Sequence, residues 1–276
     1  MAVITISRQV AALGDEIAKS LAEKLGYKFV DRKQIESKIV ELGFPLSKLP
    51  KYDERKPGFF ASLAKDRDEY LNYLQLAELD AAKDGNCILI GRASFIILDT
   101  IQNLVPIRFV ANDSVRLERL KKEFNWTDKQ AQGRINESDT NRKGFHKSFF
   151  NIDNEQSHHY LLTLNTALLD VTQSVQIIES LLKTYITPEK ESAGKQRIQN
   201  LLKAQTLVNK LVFEHKLNIN FLHADINLDG TVITLQGVAD SHVAVEKAIQ
   251  ISAKICPSCE IKSAVSIVQE FKMYHQ

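Results

Sequence analysis

The chain opens on a short β-branched run and then changes period. Val3-Ile4-Thr5-Ile6 is too evenly apolar to alternate, which is the pattern of a strand covered on both faces. Over residues 16–25 the apolar positions Ile17, Leu21 and Leu25 recur at helical spacing, and Gly26 is placed to stop that helix. Residues 27–30 predict a second strand, and Asp31 can cap a helix over 32–42. The pattern breaks over 43–68, where Pro45, Pro50 and Pro57 fall among many charges. Helical character returns over 69–82. Cys87-Ile88-Leu89-Ile90 is an apolar run ending at Gly91, and residues 107–110 read as another strand. Helices follow over 114–123, with Asp113 or Ser114 as cap, and over 127–151, the latter very polar. A strand over 160–164 and a helix over 171–185 close the series. This alternation predicts an α/β fold with a parallel sheet and helices on both faces.

Residues 188–195 carry Pro188 and Gly194 and no apolar period, so a linker is expected there, between a domain over 1–187 and another over 196–276. The second part predicts a helix over 196–216, strands over 218–227, 232–236 and 264–269, and a helix over 242–255. Asp229-Gly230 between two strands is a strong hairpin signal. The expected architecture is a small α+β unit.

Composition narrows the function classes. Lys and Arg total 36 against 34 Asp and Glu, a net charge of +2, and the pI is about 8.3. That is not the basic footprint of a nucleic-acid binder. Three cysteines are too few for a disulfide scaffold. Arg8 interrupts the first apolar run before it reaches signal-peptide length, and no stretch approaches the ~20 apolar residues of a membrane span. A cytoplasmic protein is expected. The 11 glycines are sparse, roughly 4% of the chain against about 7% in average proteins.

In an open α/β sheet, ligands bind beyond the carboxyl ends of the strands. The segment in that place is Ser7-Arg8-Gln9-Val10-Ala11-Ala12-Leu13-Gly14-Asp15-Glu16. A phosphate loop there needs glycines, so that backbone N–H groups can cradle the phosphate, together with a lysine and a hydroxyl for Mg²⁺. Ile4-Thr5-Ile6-Ser7-Arg8-Gln9, Gly14, Glu16-Ile17-Ala18 and Leu25-Gly26-Tyr27 resemble the opening of the cytidylate kinase-like family of P-loop nucleoside-monophosphate kinases. The resemblance continues through Ile90-Gly91-Arg92-Ala93, Phe109-Val110-Ala111 with Arg116 and Arg119, Asp139-x-x-Arg142 and Leu164-Asn165-Thr166, covering roughly residues 1–185. It implies a nucleotide site, with ATP and Mg²⁺ as cofactors if the chain is active.

The departures bear on activity. Where the family has Gly-Ser-Gly-Gly, this chain has Ala11-Ala12-Leu13-Gly14, and only Gly14 of the 11 glycines lies in the loop. Ala and Leu enter the left-handed region at a cost, so a nest of N–H groups is harder to form. Asp15 replaces the basic residue, and Glu16 stands where a full motif has its hydroxyl. A unit charge at about 4 Å is worth about 4 kcal/mol at an effective dielectric of 20, here with the sign that repels phosphate. Asp15 can alternatively be read as a Mg²⁺ ligand, and Asp15 and Glu16 also read, more simply, as favourable acids in a helix's first turn.

Each further candidate has two readings. Arg92 suits bidentate recognition of a monophosphate or a surface ion pair. Arg134, Asp139 and Arg142 match lid residues that clamp a transferring phosphoryl group, or an exposed helix with an Asp139–Arg142 pair. Arg8, Gln9 and Gly14 belong to the loop. Asp31 contacts a nucleoside or caps a helix, and Asn165-Thr166 supports a base pocket or, the favoured reading, caps the last helix. His158-His159 lacks a third metal ligand, and no metal site is expected.

Residues 196–276 resemble a BON domain, on Asp229-Gly230-Thr231-Val232-Ile233-Thr234-Leu235-Gln236-Gly237-Val238 and the helix and strand that follow. The resemblance implies a module that binds protein or lipid. Cys256-Pro-Ser-Cys259 takes the place of that family's last turn. Such a pair is redox active, half a zinc site or a coincidence. Two functions stand: a regulatory nucleotide- or partner-binding protein with little or no phosphoryl transfer, or an active CMP-type kinase.

Overall fold

The computed structural model describes residues 1–52 and 64–268. Strands β1 (Val3–Arg8), β2 (Lys28–Val30), β3 (Cys87–Ile90), β4 (Leu104–Val110) and β5 (Leu162–Asn165) form one parallel sheet in the order β2-β3-β1-β4-β5. Helices α1 (Gly14–Leu25), α2 (Arg32–Glu41), α3 (Ala64–Ala82), α4 (Ser94–Ile97), α5 (Asp113–Phe124), α6 (Asp128–Phe150) and α7 (Val171–Tyr185) connect and cover it. This is the α/β architecture that the alternation predicts. Of the irregular stretch over 43–68, the part containing Pro57 lies outside the described residues.

Period-two geometry divides the sheet into two apolar faces. Ile4, Ile6, Ile88 and Ile90 pack with Ile17, Leu21, Val175 and Ile178 of α1 and α7. Val3, Cys87 and Leu89 face the other way, onto Ile35, Ile39, Leu74 and Phe145 of α2, α3 and α6. Burying each such aliphatic side chain is worth about 1.5–3 kcal/mol. The strand order makes β1 the switch point, because the chain leaves it toward β2 and β3 and then crosses to β4 on its other side. A ligand crevice therefore opens at the carboxyl ends of β1, β3 and β4.

Residues 188–195, expected as a linker, are the first two turns of α8 (Pro188–Asn209). The polar composition is that of a helix start. Thr187 caps it, Pro188 stands at the first position, and Glu189 and Glu191 complement the dipole. Gly194 is needed for close approach, since a Cβ there would lie 1.8 Å from Asn103 Oδ1. Ile198 joins the core of the first unit, whereas Ala204, Leu207 and Val208 build the core of the second. One helix thus belongs to both.

The helix expected to reach residue 216 instead ends at Asn209, followed by a π-helical turn, Lys210–Glu214. Strands β6 (Ile219–Ile226) and β7 (Val232–Ala239) form the expected hairpin, with Gly230 at φ 71°. Helix α9 (His242–Ile255) then crosses over to β8 (Glu260–Ile267), which pairs parallel to β7. The last strand starts four residues before its expected 264, and Gln269 with the rest of the chain lies outside the described residues.

Candidate functional site

The turn after β1 keeps the left-handed steps of a phosphate loop without the glycines. Ala11 has φ 58° and Leu13 φ 55°. Each such residue costs roughly 1–2 kcal/mol, so something must hold them. Three consecutive carbonyls are gripped from outside the loop. Arg116 Nε donates to Val10 O at 3.0 Å, Arg119 Nη1 to Ala11 O at 3.0 Å, and Thr166 Oγ1 to Ala12 O at 3.1 Å. With those carbonyls tied outward, the chain enters α1 at Leu13, which offers no capping side chain. The first N–H groups of α1 are left for an external acceptor, and the dipole there favours an anion.

The loop's charge is set by a pair. Arg8 Nη2 lies 3.2 Å from Asp15 Oδ1, and Arg8 Nε donates to Oδ2 at 3.4 Å. Asp15 is 56% exposed, so its repulsion of phosphate is well below the ~4 kcal/mol worked for a partly screened contact. Gly14 packs against the stem of Arg8, and a Cβ there would stand 2.7 Å from both Arg8 Cβ and Cγ. Gln9 ties strand ends together: its N–H donates to Phe109 O and its Oε1 accepts from Ala111 N.

Arg92 lies under the crevice rather than on the surface. It sits at φ 53°, two residues past the end of β3, and is 2% exposed. Its Nη1 donates to Tyr52 O at 2.7 Å and to Tyr70 Oη at 3.1 Å, and its Nη2 pairs with the Glu36 carboxylate. Burial pushes the Tyr70 phenol up to about 12. Arg142 Nη1 donates to Ser138 Oγ at 2.9 Å, and Arg142 O meets His146 Nδ1 at 2.7 Å. Ser7, Arg8, Arg92, Arg142 and His146 line one cavity of about 20 Å³, room for about one water. A nucleotide needs this crevice to open.

The other candidates lie apart from it. Arg134 is on the exposed side of α6, 3.2 Å from Glu137. Asp139 pairs with Arg116 instead of Arg142: both carboxylate oxygens accept from its guanidinium at 2.8 Å. Asp31 caps α2 through a reciprocal box with Gln34. Asn165 Oδ1 accepts from Ala167 N, while α7 is capped by Asp170, so the favoured capping reading of Asn165-Thr166 is corrected. Thr166 is buried and serves the loop. Likewise α5 is capped by Asn112, not Asp113 or Ser114. The His158 and His159 rings lie 4.2 Å apart at a tilt of 49°, and no three His, Cys, Asp or Glu converge as metal ligands among the described residues.

Sequence reasoning did not single out Glu36 or Glu78. Glu36 shares a helical face with Arg32 at i,i+4, with 2.8 Å between them. That spacing was a readable signal. Glu78 on α3 is fully buried beneath Ser94 and Arg92, and burial pushes its acid up to about 8. Nothing local marks it.

The sheet order, the crevice and the loop define an α/β fold like those of P-loop kinases. The chain belongs to the cytidylate kinase-like family, whose model matches residues 3–168. It is 29% identical over 181 residues to the cytidylate kinase of Methanocaldococcus jannaschii, a match that covers 64% of this chain and 96% of that protein. Among solved structures, it is similar to an uncharacterized protein from Eubacterium ventriosum, with TM-score 0.53 and 17% identity over 66% of this chain and 98% of that one. It is also similar to shikimate kinase from Bacteroides thetaiotaomicron, with TM-score 0.41 and 16% identity over the same shares. No described helix is long and apolar enough to cross a membrane.

Proposed function

We propose that the chain binds the phosphate of a nucleotide between the β1–α1 turn and the Arg92–Arg142 cavity, and acts in regulation with little or no phosphoryl transfer. One observation carries this reading. The turn keeps its left-handed steps and uncapped N–H groups, yet the cations beside it are committed: Arg8 to Asp15, and Arg92 to Glu36. Binding a phosphate by backbone donors survives that arrangement. Neutralising a transition state does not, because each 1.36 kcal/mol withheld is about tenfold in rate. Residues 9–16 also contain neither a hydroxyl nor an ammonium group. They do not fit phosphate-bound Mg²⁺ in the usual manner.

The second reading is an active CMP-type kinase using ATP. The match to a cytidylate kinase over nearly that protein's whole length favours it, as does the convergence of Arg8, Arg92 and Arg142 on one cavity. The test is incubation with ATP, Mg²⁺ and each nucleoside monophosphate, following diphosphate formation. Turnover of about 1 s⁻¹ or more refutes the regulatory reading. Its absence, with nucleotide raising the melting temperature, supports it. Saturation to about 100 Kd adds about 2.7 kcal/mol.

The C-terminal unit supports a BON-like role, binding protein or lipid, in a cytoplasmic chain. Its three-stranded sheet exposes Phe221 on β6. Vesicle flotation and pull-down with the full chain and a Phe221→Ser variant test that role.

A further inference from the structure

We propose that Cys256 and Cys259 form a redox-active dithiol that exchanges with small-molecule disulfides, with the Lys203 ammonium as its positioning cation. Three observations meet at this turn. Cys259 N donates to Cys256 O at 3.0 Å, so Cys256-Pro-Ser-Cys259 is a closed β-turn. Its end Cα atoms lie within about 7 Å, overlapping the window of about 4.4–6.8 Å that a disulfide requires. The middle of the turn, Pro257 and Ser258, is exposed, with the two sulfurs tucked just beneath it in one apolar cluster. Lys203 of α8 reaches across and places Nζ 2.7 Å from Cys259 Sγ.

The contact with Lys203 sorts the two sulfurs into roles. As a thiol, Cys259 donates to Gly230 O at 3.2 Å, and as the attacking sulfur it has the Lys203 ammonium beside it. Cys256 is farther from that cation. Burial pushes its thiol up, and Lys203 only partly opposes the shift. Cys256 is therefore the resolving group. Cys87 is an internal control: it is fully buried in β3, and burial pushes its thiol up to about 12.

The exchange balances with a disulfide RSSR as oxidant. The Cys259 thiolate attacks one sulfur, and RS⁻ leaves with the electron pair of the broken bond. The Cys256 thiol gives up its proton, and its sulfur displaces the second RS⁻ from Cys259. The two RS⁻ take up the two protons released by the cysteines, so the chain loses two electrons and two protons and RSSR becomes two RSH. Oxidation removes the Cys259 donor from Gly230 O at the β6–β7 turn and the thiolate from Lys203 on α8. The redox state is thereby read by the helix shared between the two units.

The experiment uses the full, reduced chain in glutathione buffers of graded ratio, followed by acid quenching, alkylation and peptide mass spectrometry. The expected product is an intramolecular Cys256–Cys259 disulfide, with both thiols lost together and Cys87 alkylated only after unfolding. Cys256→Ser should stop at a glutathione adduct on Cys259. Lys203→Met should slow the exchange by about tenfold at neutral pH. Lys203→Arg keeps the cation and should retain the rate, which covers the case in which the Met variant does not fold. Persistent single-cysteine adducts in the unsubstituted chain, native thiols untouched by the oxidant, or equal rates with and without the cation at every pH would each overturn the proposal. So would stoichiometric zinc held by the reduced chain and released on alkylation.

Discussion

Replacing Glu78 with Gln tests how this crevice is supported from below. The Ser94 hydroxyl spends its one proton on Gly91 O at 2.7 Å, so it has only lone pairs to offer the carboxyl beneath it. Among the described residues, neither carboxylate oxygen of Glu78 has a donor within hydrogen-bond distance. A protonated Glu78 can donate to Ser94; an ionised one cannot. Burial, only partly opposed by the Arg92 charge, raises this acid from 4.5 to about 8. An acid raised on folding stabilises the fold fully below its unfolded value and loses that stability as pH climbs to its folded value. The window here runs from about pH 4.5 to about pH 8. At pH 7 the protonation costs about 3 kcal/mol, and above pH 8 the full loss approaches about 5 kcal/mol. Gln keeps the shape and a donor for Ser94 but has no proton to lose. Urea unfolding of both proteins at pH 5, 6, 7 and 8 isolates the group, because every other titration cancels in the difference. Stability of the Gln variant relative to the parent should rise by about 2–3 kcal/mol from pH 5 to pH 7. A difference that does not change with pH refutes the reasoning.

Arg116→Met removes the two-pronged bond to Asp139 and the grip on Val10 O, and should destabilise by about 3 kcal/mol in denaturant titrations; a loss under about 1 kcal/mol would show that the pair is no more than a surface contact. Gly14→Ala places a methyl group against Arg8 and should lower stability by about 1–3 kcal/mol despite the better helix propensity of alanine. A higher melting temperature would contradict that close approach. Asp15→Lys reverses the loop charge and frees Arg8, and should tighten nucleoside triphosphate binding by about tenfold, measured by calorimetry at fixed salt. Unchanged affinity would mean that the phosphates do not meet this turn.

The fold was legible because its strands are short apolar runs and its helices carry their own punctuation. Asp31 and Gln34, Thr127 and Gln130, and Asp170 and Gln173 are all reciprocal caps that sequence displays. The misreading at 188–195 has a physical source. Lack of apolar period does not mean lack of structure, because a helix beginning at a domain surface needs only a cap, a proline and acids in its first turn. The site was less legible, since its contacts are long-range. Asp139 lies three residues from Arg142 yet pairs with Arg116, 23 positions away. A partner of that kind is chosen by the packing of α5 against α6, which no local pattern encodes.

The loop shows most clearly what composition does and does not decide. Missing glycines predicted that the left-handed turns would be costly, and they are, at roughly 2–4 kcal/mol for Ala11 and Leu13 together. They did not predict that the turns would be lost. The opposing term comes from α5 and from the residue that follows β5. Arg116 and Arg119 donate to two loop carbonyls and Thr166 to a third. Hydrogen bonds from charged donors are worth about 1.5–3 kcal/mol each and the hydroxyl about 1 kcal/mol, enough to meet the strain. Backbone shape and loop charge are therefore separable in this chain. The shape is enforced from outside the loop, while the charge follows from Asp15 and its partner Arg8. A double substitution of Ala11 and Leu13 by glycine should relieve the strain without raising phosphoryl transfer. Changing Asp15 acts on phosphate directly. If the glycine variant alone gained phosphoryl transfer, backbone strain rather than charge would be what limits transfer at this loop.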